Sequence, residues 1–523
     1  MDDKILRESD LQNYSKDQLI ATVIDLQNDV LLRNEKIAML NGRLFGRKTE
    51  KFVEIVDDQI PLGDFNEAEA IADKTPVVET ETITYTRTKR KGKREEDLSG
   101  LPSVIETHEL TEEQLKAAFG DDEYFRLPDH VYKKLEIVPA KMTVREHHVA
   151  VYKCNKTGKI VKADHPFELF DKSVATSSLV SYVLESKYAN ALPLYRLEQS
   201  FKNKGYDISR QNMAHWVIKT CEVYLSLLYD RMHEELCRSN YIQCDETVVK
   251  VSKDGRKAGA ESRMWAYRTS ELLPRPPIIL FEYQRTRSSE WPKEFLKDFS
   301  GYAMCDGFSA YPALERRKSG FRIANCLTHA RRYFADIQKN LKGYTYGDSS
   351  ISFEALKRLK KIYEIENTLA DLSAEERRDR RQQEIKPLLG AYFAWAKDIY
   401  PGVSPQSATG KALAYSISNE KYLKVFLDDG YVPIDNTATE RAIRPFTIGR
   451  KNFVLIDTIS GAKASAIAYS IVETAKANNL NVYEYLNYVL SEMPKHMNNS
   501  DLSFIDDLLP WSATLPESCM SKR

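Results

Sequence analysis

Asp245 lies inside a run of β-branched and aromatic residues, 241–251, directly after Cys244. Such a run reads as a strand, and an unpaired carboxylate within it is costly to desolvate. Asp306 follows a second short apolar run, 302–305, and precedes Gly307. Taken singly, each has a plain explanation: Asp245 at an exposed sheet edge, Asp306 as half of an Asp-Gly turn. On neighbouring strands, however, the two could share one divalent cation. Magnesium, or manganese in its place, is a hard ion that takes carboxylate and water oxygens. Glu440 supplies a third carboxylate, with Arg441, Arg444, Arg450 and Lys451 clustered after it. A solvated helix with Glu-Arg pairs is the bland account of that cluster, worth little on a surface. A metal-ligating glutamate among phosphate-binding cations is the functional one. Two divalent ions between such carboxylates can clamp the attacking and departing oxygens of a phosphodiester.

The elements that must position these residues follow a readable order. After the strand 241–251, Lys253-Asp254-Gly255 makes a turn, and 264–269 and 277–284 are a second and third strand. A helix over 291–299, a strand over 302–305 and a strand over 321–327 come next. The last leads into a helix carrying His329, Arg331 and Arg332, whose spacing fits decoration of a helix better than phosphate contact. Three hairpin-linked strands, then helix, strand, helix and strand, is the order expected of a ribonuclease-H-like α/β core. The third carboxylate is delayed by a charged helical insertion, about 345–430. A short helix capped by Asn436 or Thr437 then holds Glu440 and is expected to end at Pro445. The catalytic domain on this reading spans 238–480, with a C-terminal segment over 481–523.

Ahead of the core the pattern changes four times. Residues 1–50 read as a coiled coil: Val23, Val30, Ile37 and Leu44 fall seven apart, and Leu19, Leu26 and Leu40 share the other seam position, interrupted by Arg33. This suits a homo-oligomer, or an amphipathic helix packed on its own domain. Residues 51–100 form a linker that ends basic, in Arg87, Lys89, Arg90, Lys91, Lys93 and Arg94. Such a block is either solvated or neutralises phosphates with little sequence preference. Residues 101–175 alternate in places (135–138, 143–145) and are expected to form a small β-containing module. Residues 176–237 are helical and a DNA-binding candidate: 191–219 can hold a helix-turn-helix with Ser209 as a cap, although an ordinary helical pair is the commoner meaning of such a pattern.

At 523 residues the chain exceeds one compact core. Its 42% hydrophobic and 29% charged residues suit a globular protein. The acidic, polar N-terminus is unlike a signal peptide, and the apolar run 278–281 is far too short to span a bilayer. Seven scattered cysteines with no CxxC pair argue for free thiols in a reducing cytoplasm. The formal net charge is zero, so any contact with DNA must come from local patches.

Several separated blocks resemble the insertion-sequence-66 family of bacterial transposases. Residues 44–51 and 89–93 are similar to that family's motif after its leucine zipper and to its basic linker, and 186–196 to the stretch before its catalytic domain. The three acidic blocks 244–247, 306–311 and 435–445 resemble the family's own, extended by 449–453, 473–476 and the C-terminal 508–511. The resemblance implies a DDE-type enzyme that binds divalent metal, cuts double-stranded DNA at the element's ends and joins them to target DNA. Asp245, Asp306 and Glu440 carry over as the acidic triad and metal ligands, and accessory proteins of the same element are implied as partners. Many relatives carry a cysteine-rich zinc module between linker and core. Here only Cys154 stands near His147 and His148, which does not make four tetrahedral ligands, so the module is expected to be degenerate and without zinc. Two rival readings use the same residues: a nuclease that only hydrolyses DNA, and a catalytically silent DNA-binding protein.

Overall fold

The computed structural model describes residues 167–521 apart from breaks at 172, 258, 308–309, 342–349 and 498–500. Before them it describes 111–119, 142–153, 160–163 and scattered positions within 14–37. The six basic linker residues, Cys154, the alternating stretch 135–138 and the seam residues Leu40 and Leu44 lie outside the described residues. The chain divides into two compact units, a larger one holding 167–521 together with the described positions within 14–37, and a smaller one holding 57–166.

In the smaller unit a helix spans Glu112–Phe119, and Val151–Lys153 pairs antiparallel with Ile160–Lys162. The β structure lies later in the chain than the alternation at 143–145 suggested. Residues 142–150 have no regular structure, and Val144 is largely exposed. Alternation marks a strand only where a partner covers one face, and Val144 has no such cover. Farther N-terminal, the described positions within 16–37 are helical, and Leu19, Val23, Leu26, Val30 and Ile37 are exposed.

The larger unit is mixed α/β, built on one sheet. Its strands are β1 (Tyr241–Lys253), β2 (Glu261–Thr269), β3 (Ile279–Gln284), β4 (Gly301–Cys305), β5 (Phe321–Asn325) and β6 (Ile456–Thr458). The order across the sheet is β3-β2-β1-β4-β5, with β6 paired to the far end of β1. β1, β2 and β3 are antiparallel neighbours, while β4 runs parallel to β1 and β5 parallel to β4. β1 therefore lies between β2 and β4, and Asp245 stands two residues past its last pairing with β4 rather than on an outer strand of the sheet. β1 also runs two residues longer than the apolar pattern, because β6 supplies partners for Val251 and Lys253.

Fourteen helices of this unit matter here: α1 (Ser177–Leu184), α2 (Leu194–Asn203), α3 (Arg210–Thr220), α4 (Ser226–Cys237), α5 (Glu290–Phe295), α6 (Ala310–Arg317), α7 (Leu327–Leu341), α8 (Ile351–Asn367), α9 (Ala374–Arg380), α10 (Lys386–Ile399), α11 (Ala408–Ser418), α12 (Thr437–Phe453), α13 (Ile459–Ala477) and α14 (Val482–His496). α13 covers the edge strand β3. Ser470 Oγ accepts the Phe281 N–H at 2.7 Å, and Thr474 Oγ1 accepts from Ile279 N and donates to Ile279 O. Those hydroxyls satisfy backbone groups that a bare edge would offer to another chain. The helical segment α1–α4 and the C-terminal helices lie in the same unit as the sheet: Arg231 of α4 pairs with Asp506, and Ser491 of α14 bonds Ser177 at the start of α1.

α7, α8, α10 and α11 share one apolar core with β4 and β5, through Leu327, Phe334, Leu359, Leu389, Tyr392 and Phe393. Two arginines in this charged insertion are buried. Arg381, fully buried, pairs with Glu366 and donates to the carbonyls of Phe426, Asp429 and Val432. Arg377 donates to the carbonyls of Leu369 and Gly430. Together they anchor the loop that feeds α12. The six described cysteines are buried and free. Among the described residues no helix is long and apolar enough to cross a membrane.

Candidate active site

β1 and β4 lie side by side with Tyr241, Ile242 and Gln243 opposite Tyr302, Ala303 and Met304. Carrying that register two residues onward sets Asp245 opposite Asp306, with both side chains on one face of the sheet. The chain turns away at once after Asp306. Gly307 adopts φ +88°, where a side chain would be strained and a Cβ would sit 3.1 Å from the Tyr415 hydroxyl. That hydroxyl donates to the Asp306 carbonyl at 3.0 Å and fixes the end of β4.

Glu246 joins the two aspartates. One carboxylate oxygen from each of Asp245, Glu246 and Asp306 lies within 4.8 Å of the others. An adjacent residue on a strand should point to the opposite face. Here β4 has already ended at Cys305, and β6 joins β1 only at Val251, so the longer glutamate side chain can bend toward the opening. Arg287, beyond β3, bonds Glu246 Oε1 at 2.5 Å and approaches Asp306 Oδ2 at 3.7 Å. Burial and the neighbouring charges of Asp306, Glu246 and Glu440 hold Asp245 well above the usual carboxylate range. Burial and Asp306 also raise Glu246, against the pull of Arg287.

Glu440 reaches this group from a different direction. The segment before it is tied to β1 and to the start of α7: Leu327 N donates to Ile434 O, Thr328 Oγ1 to Asp435 Oδ2, and Gln243 Nε2 to Asp435 O. Asn436, fully buried, donates to Cys244 O at 2.8 Å and accepts from Thr439 Oγ1. The first turn of α12 is thereby stapled to the residue preceding Asp245. Asn436 sits at the cap position, yet the side chain that takes the Thr437 N–H is the Asp435 carboxylate. Glu440 does not enter the tight oxygen cluster. Arg332 Nη2 lies between its two oxygens, at 2.7 and 2.8 Å, while Arg332 Nη1 is 3.3 Å from His329 Nε2. His329 Nε2 is 3.8 Å from Glu440 Oε1, and burial together with Arg332 lowers its pKa, which favours the neutral ring.

α12 does not stop at Pro445 but continues to Phe453 with the proline inside it. An interior proline costs about 3 kcal/mol. Its buried face of Ala438, Ala442, Ile443, Phe446 and Gly449 offsets that cost, with Phe446 against Phe281 and Tyr469.

The cations near Glu440 divide. Arg450 donates to Thr247 Oγ1 at 3.2 Å and to the Val248 carbonyl, so it braces β1. Arg441 pairs with Glu271 at 3.1 Å; Arg444 and Lys451 are exposed. Glu246, Arg287 and the Glu440 contact of Arg332 went unread in the sequence. For Arg332 the available signal was its i,i+3 spacing from His329 at the start of a helix.

Residues 172–464 match the family model described as Transposase IS66 family. The chain belongs to that family. Residues 470–511 match the IS66 C-terminal element, and 34–105 match a model described as Transposase C of IS166 homeodomain. Three relatives from Sinorhizobium fredii, all described as uncharacterized proteins, are similar over most of their length. The first, y4jD, is 28% identical over 95% of this chain and 97% of its own. y4hP is 26% identical over 91% and 87%, and y4qI 27% identical over 73% and 70%. Among the described residues of this IS66 family member, Asp245, Glu246 and Asp306 are the one group of three or more side chains placed to hold a metal ion.

Proposed function

We propose that this IS66 family transposase cuts the ends of an insertion sequence and joins them to target DNA by metal-assisted phosphodiester transfer, with Asp245, Asp306 and Glu440 as its catalytic carboxylates. The observation that carries the reading is the facing pair of Asp245 on β1 and Asp306 just past the end of the adjacent parallel β4, with α12 stapled beside them by Asn436. The strand order β3-β2-β1-β4-β5, with acids on β1, after β4 and on a later helix, supports the ribonuclease-H-like reading of the core.

The donor set fits a hard divalent cation. Three carboxylate oxygens within 4.8 Å repel one another, and burial first, then the Asp306 charge, raises the Asp245 pKa. Magnesium or manganese held there would stabilise charge on the phosphate and lower the pKa of an attacking hydroxyl. The protein's own part is to fix the carboxylates on rigid strands. Arg332 and Asn436 orient Glu440, while Arg287 partly neutralises the cluster. Double-stranded DNA would be held by Arg441, Arg444 and Lys451 near the cleft and by Arg87, Lys89, Arg90, Lys91, Lys93 and Arg94 in the linker. The homeodomain description of the model matching 34–105 supports DNA contact there as well. Self-association through the N-terminal heptads and help from accessory proteins of the element complete the proposal.

The test is incubation of the purified chain with inverted-repeat duplex, a second target duplex and Mg2+ or Mn2+. Free 3′ ends that become covalently joined to the target support transposition. Cleavage without joining would make the chain a nuclease, and tight binding with neither product would make it a silent DNA-binding protein. Asp245→Asn, Asp306→Asn and Glu440→Gln should each abolish both products and leave DNA binding intact.

A further inference from the structure

The paired helices α2 and α3 take no part in the carboxylate site, yet their surface is unusual for this chain. α3 buries Met213, Trp216, Val217 and Thr220 on one side. Gln211, Asn212, His215 and Lys219 are exposed on the other, and Arg210 is exposed at the helix start. Spacings of three and four place Gln211, Asn212, His215 and Lys219 in one stripe along the helix, while Arg210 lies off that stripe at the helix start, over Tyr195 of α2. The start of α3 is held firmly: Ser209 Oγ accepts the Asn212 N–H at 3.2 Å, and Glu198 of α2 accepts the Arg210 N–H at 2.9 Å. Gly205, at φ +84°, reverses the chain between the two helices. The Arg210 guanidinium lies 5.7 Å from the Tyr195 ring centre, which restricts its directions.

Charge and chemistry favour one partner. Residues 194–219 carry five Lys or Arg against two carboxylates, in a chain whose formal net charge is zero. The exposed stripe has no large apolar side chain of the kind that anchors a protein partner. The first three residues of α3 are instead the types that match base edges: arginine for guanine O6 and N7, asparagine and glutamine for adenine N6 and N7. In a helix-turn-helix those edges are met by the N-terminal residues of the second helix. We propose that α3 enters the major groove of duplex DNA and reads base edges through Arg210, Gln211 and Asn212, while Lys202 and Lys204 contact the phosphates. This rests on the DNA chemistry proposed above and deepens it, separating the surface that chooses a sequence from the site that cuts it.

The test uses the full chain. Selection from a randomised duplex pool should yield a preferred sequence, and binding to that duplex and to a scrambled one is then compared by fluorescence anisotropy. Arg210→Ala and the double change Gln211→Ala, Asn212→Ala should each weaken binding to the selected duplex by about 10- to 100-fold, with the scrambled duplex changed by about two-fold or less. Arg210→Lys keeps the charge, loses the two-pronged donor and should also lose preference. These positions are exposed, and unchanged thermal melting checks folding. An equal loss on both duplexes, or an unchanged preference, overturns the assignment. If the variants keep the preference while the wild type still cleaves and joins DNA, only the role of α3 fails. A wild type that binds neither duplex removes this inference and the proposed function together.

Discussion

Arg332 Nη2 sits between the two carboxylate oxygens of Glu440, and the same guanidinium reaches His329 with Nη1. Glu440 and Arg332 come from helices far apart in the chain, so this contact, with the Asn436 staple, sets where the third carboxylate points. Partners of a ligating carboxylate typically change metal affinity 10- to 100-fold when removed. Arg332→Ala should therefore raise the Mg2+ concentration for half-maximal cleavage by about 10-fold. Arg332→Lys should recover part of the loss, and DNA affinity should stay the same. The variant should add nothing in a Glu440→Gln background when metal binding is measured by calorimetry. An unaltered Mg2+ dependence would show that Arg332 does not act through Glu440.

Arg287 plays a compensating part on the other side of the cluster, touching Glu246 and approaching Asp306. It is partly exposed, so its net contribution to stability is about 1 kcal/mol or less. Arg287→Ala should lower the metal-free melting temperature slightly and enlarge the rise that Mg2+ produces, because the ion then relieves more repulsion. Differential scanning fluorimetry with and without Mg2+ measures both shifts. An equal rise in variant and wild type would count against the idea.

Glu282 provides a pH dependence outside the cleft. Burial, offset in part by bonds to Gln284 and Tyr267, pushes its pKa up from 4.5 to about 7. A carboxyl raised in the folded state binds more protons there than in the unfolded chain. Its stabilising contribution is complete below 4.5 and is lost as the pH rises through about 7. Glu282→Gln should flatten the stability profile between those values and leave the variant more stable than wild type at pH 8. Parallel urea titrations at pH 5 and pH 8 would detect it.

Much of the core was legible because strands announce themselves through short-range pattern. Residues 241–251, 264–269 and 277–284 alternate or run apolar between turn residues, and all three are strands with ends shifted by a few positions. The same pattern misled where cover decides the outcome, as at 143–145. Pro445 misled too, since local propensity cannot weigh the buried face that carries α12 past it. At the site, the aspartates were readable from their neighbours. Strand alternation alone would set Glu246 on the face opposite Asp245, and the early end of β4 is what leaves room for its oxygen to turn inward. The insertion reads in the sequence only as charged and helical, yet its Arg377 and Arg381 are buried carbonyl clamps. No periodicity distinguishes a charge facing water from one facing carbonyls of a distant loop.

The N-terminal heptads make a separate prediction. Leu19, Val23, Leu26, Val30 and Ile37 are exposed in a single chain, a seam that a second helix would cover. Analytical ultracentrifugation should find a smaller assembly for a chain lacking residues 1–50 than for the full chain. Equal assemblies for the two would remove the seam as the cause.

Asn436 is the residue on which the geometry of the cleft depends most directly. It is fully buried, donates to the Cys244 carbonyl, and its Oδ1 takes bonds from Thr439 and from Gln243 at 3.3 Å. Asn436→Ala leaves a buried carbonyl and part of a buried amide unpaired, at a cost of about 1–3 kcal/mol. The functional loss should be larger than that cost implies, because freeing the first turn of α12 from β1 moves Glu440 relative to Asp245. At a temperature where the variant is still fully folded by circular dichroism, cleavage should fall by about 10-fold or more. Asn436→Asp separates the two halves of the argument. It keeps an acceptor for Thr439 and Gln243 but cannot donate to Cys244 O, and it sets a new negative charge beside that carbonyl. If the bond to β1 is what places Glu440, Asn436→Asp should be as inactive as Asn436→Ala. Wild-type cleavage by either folded variant would mean that Arg332 and the buried face of α12 hold the glutamate without the staple.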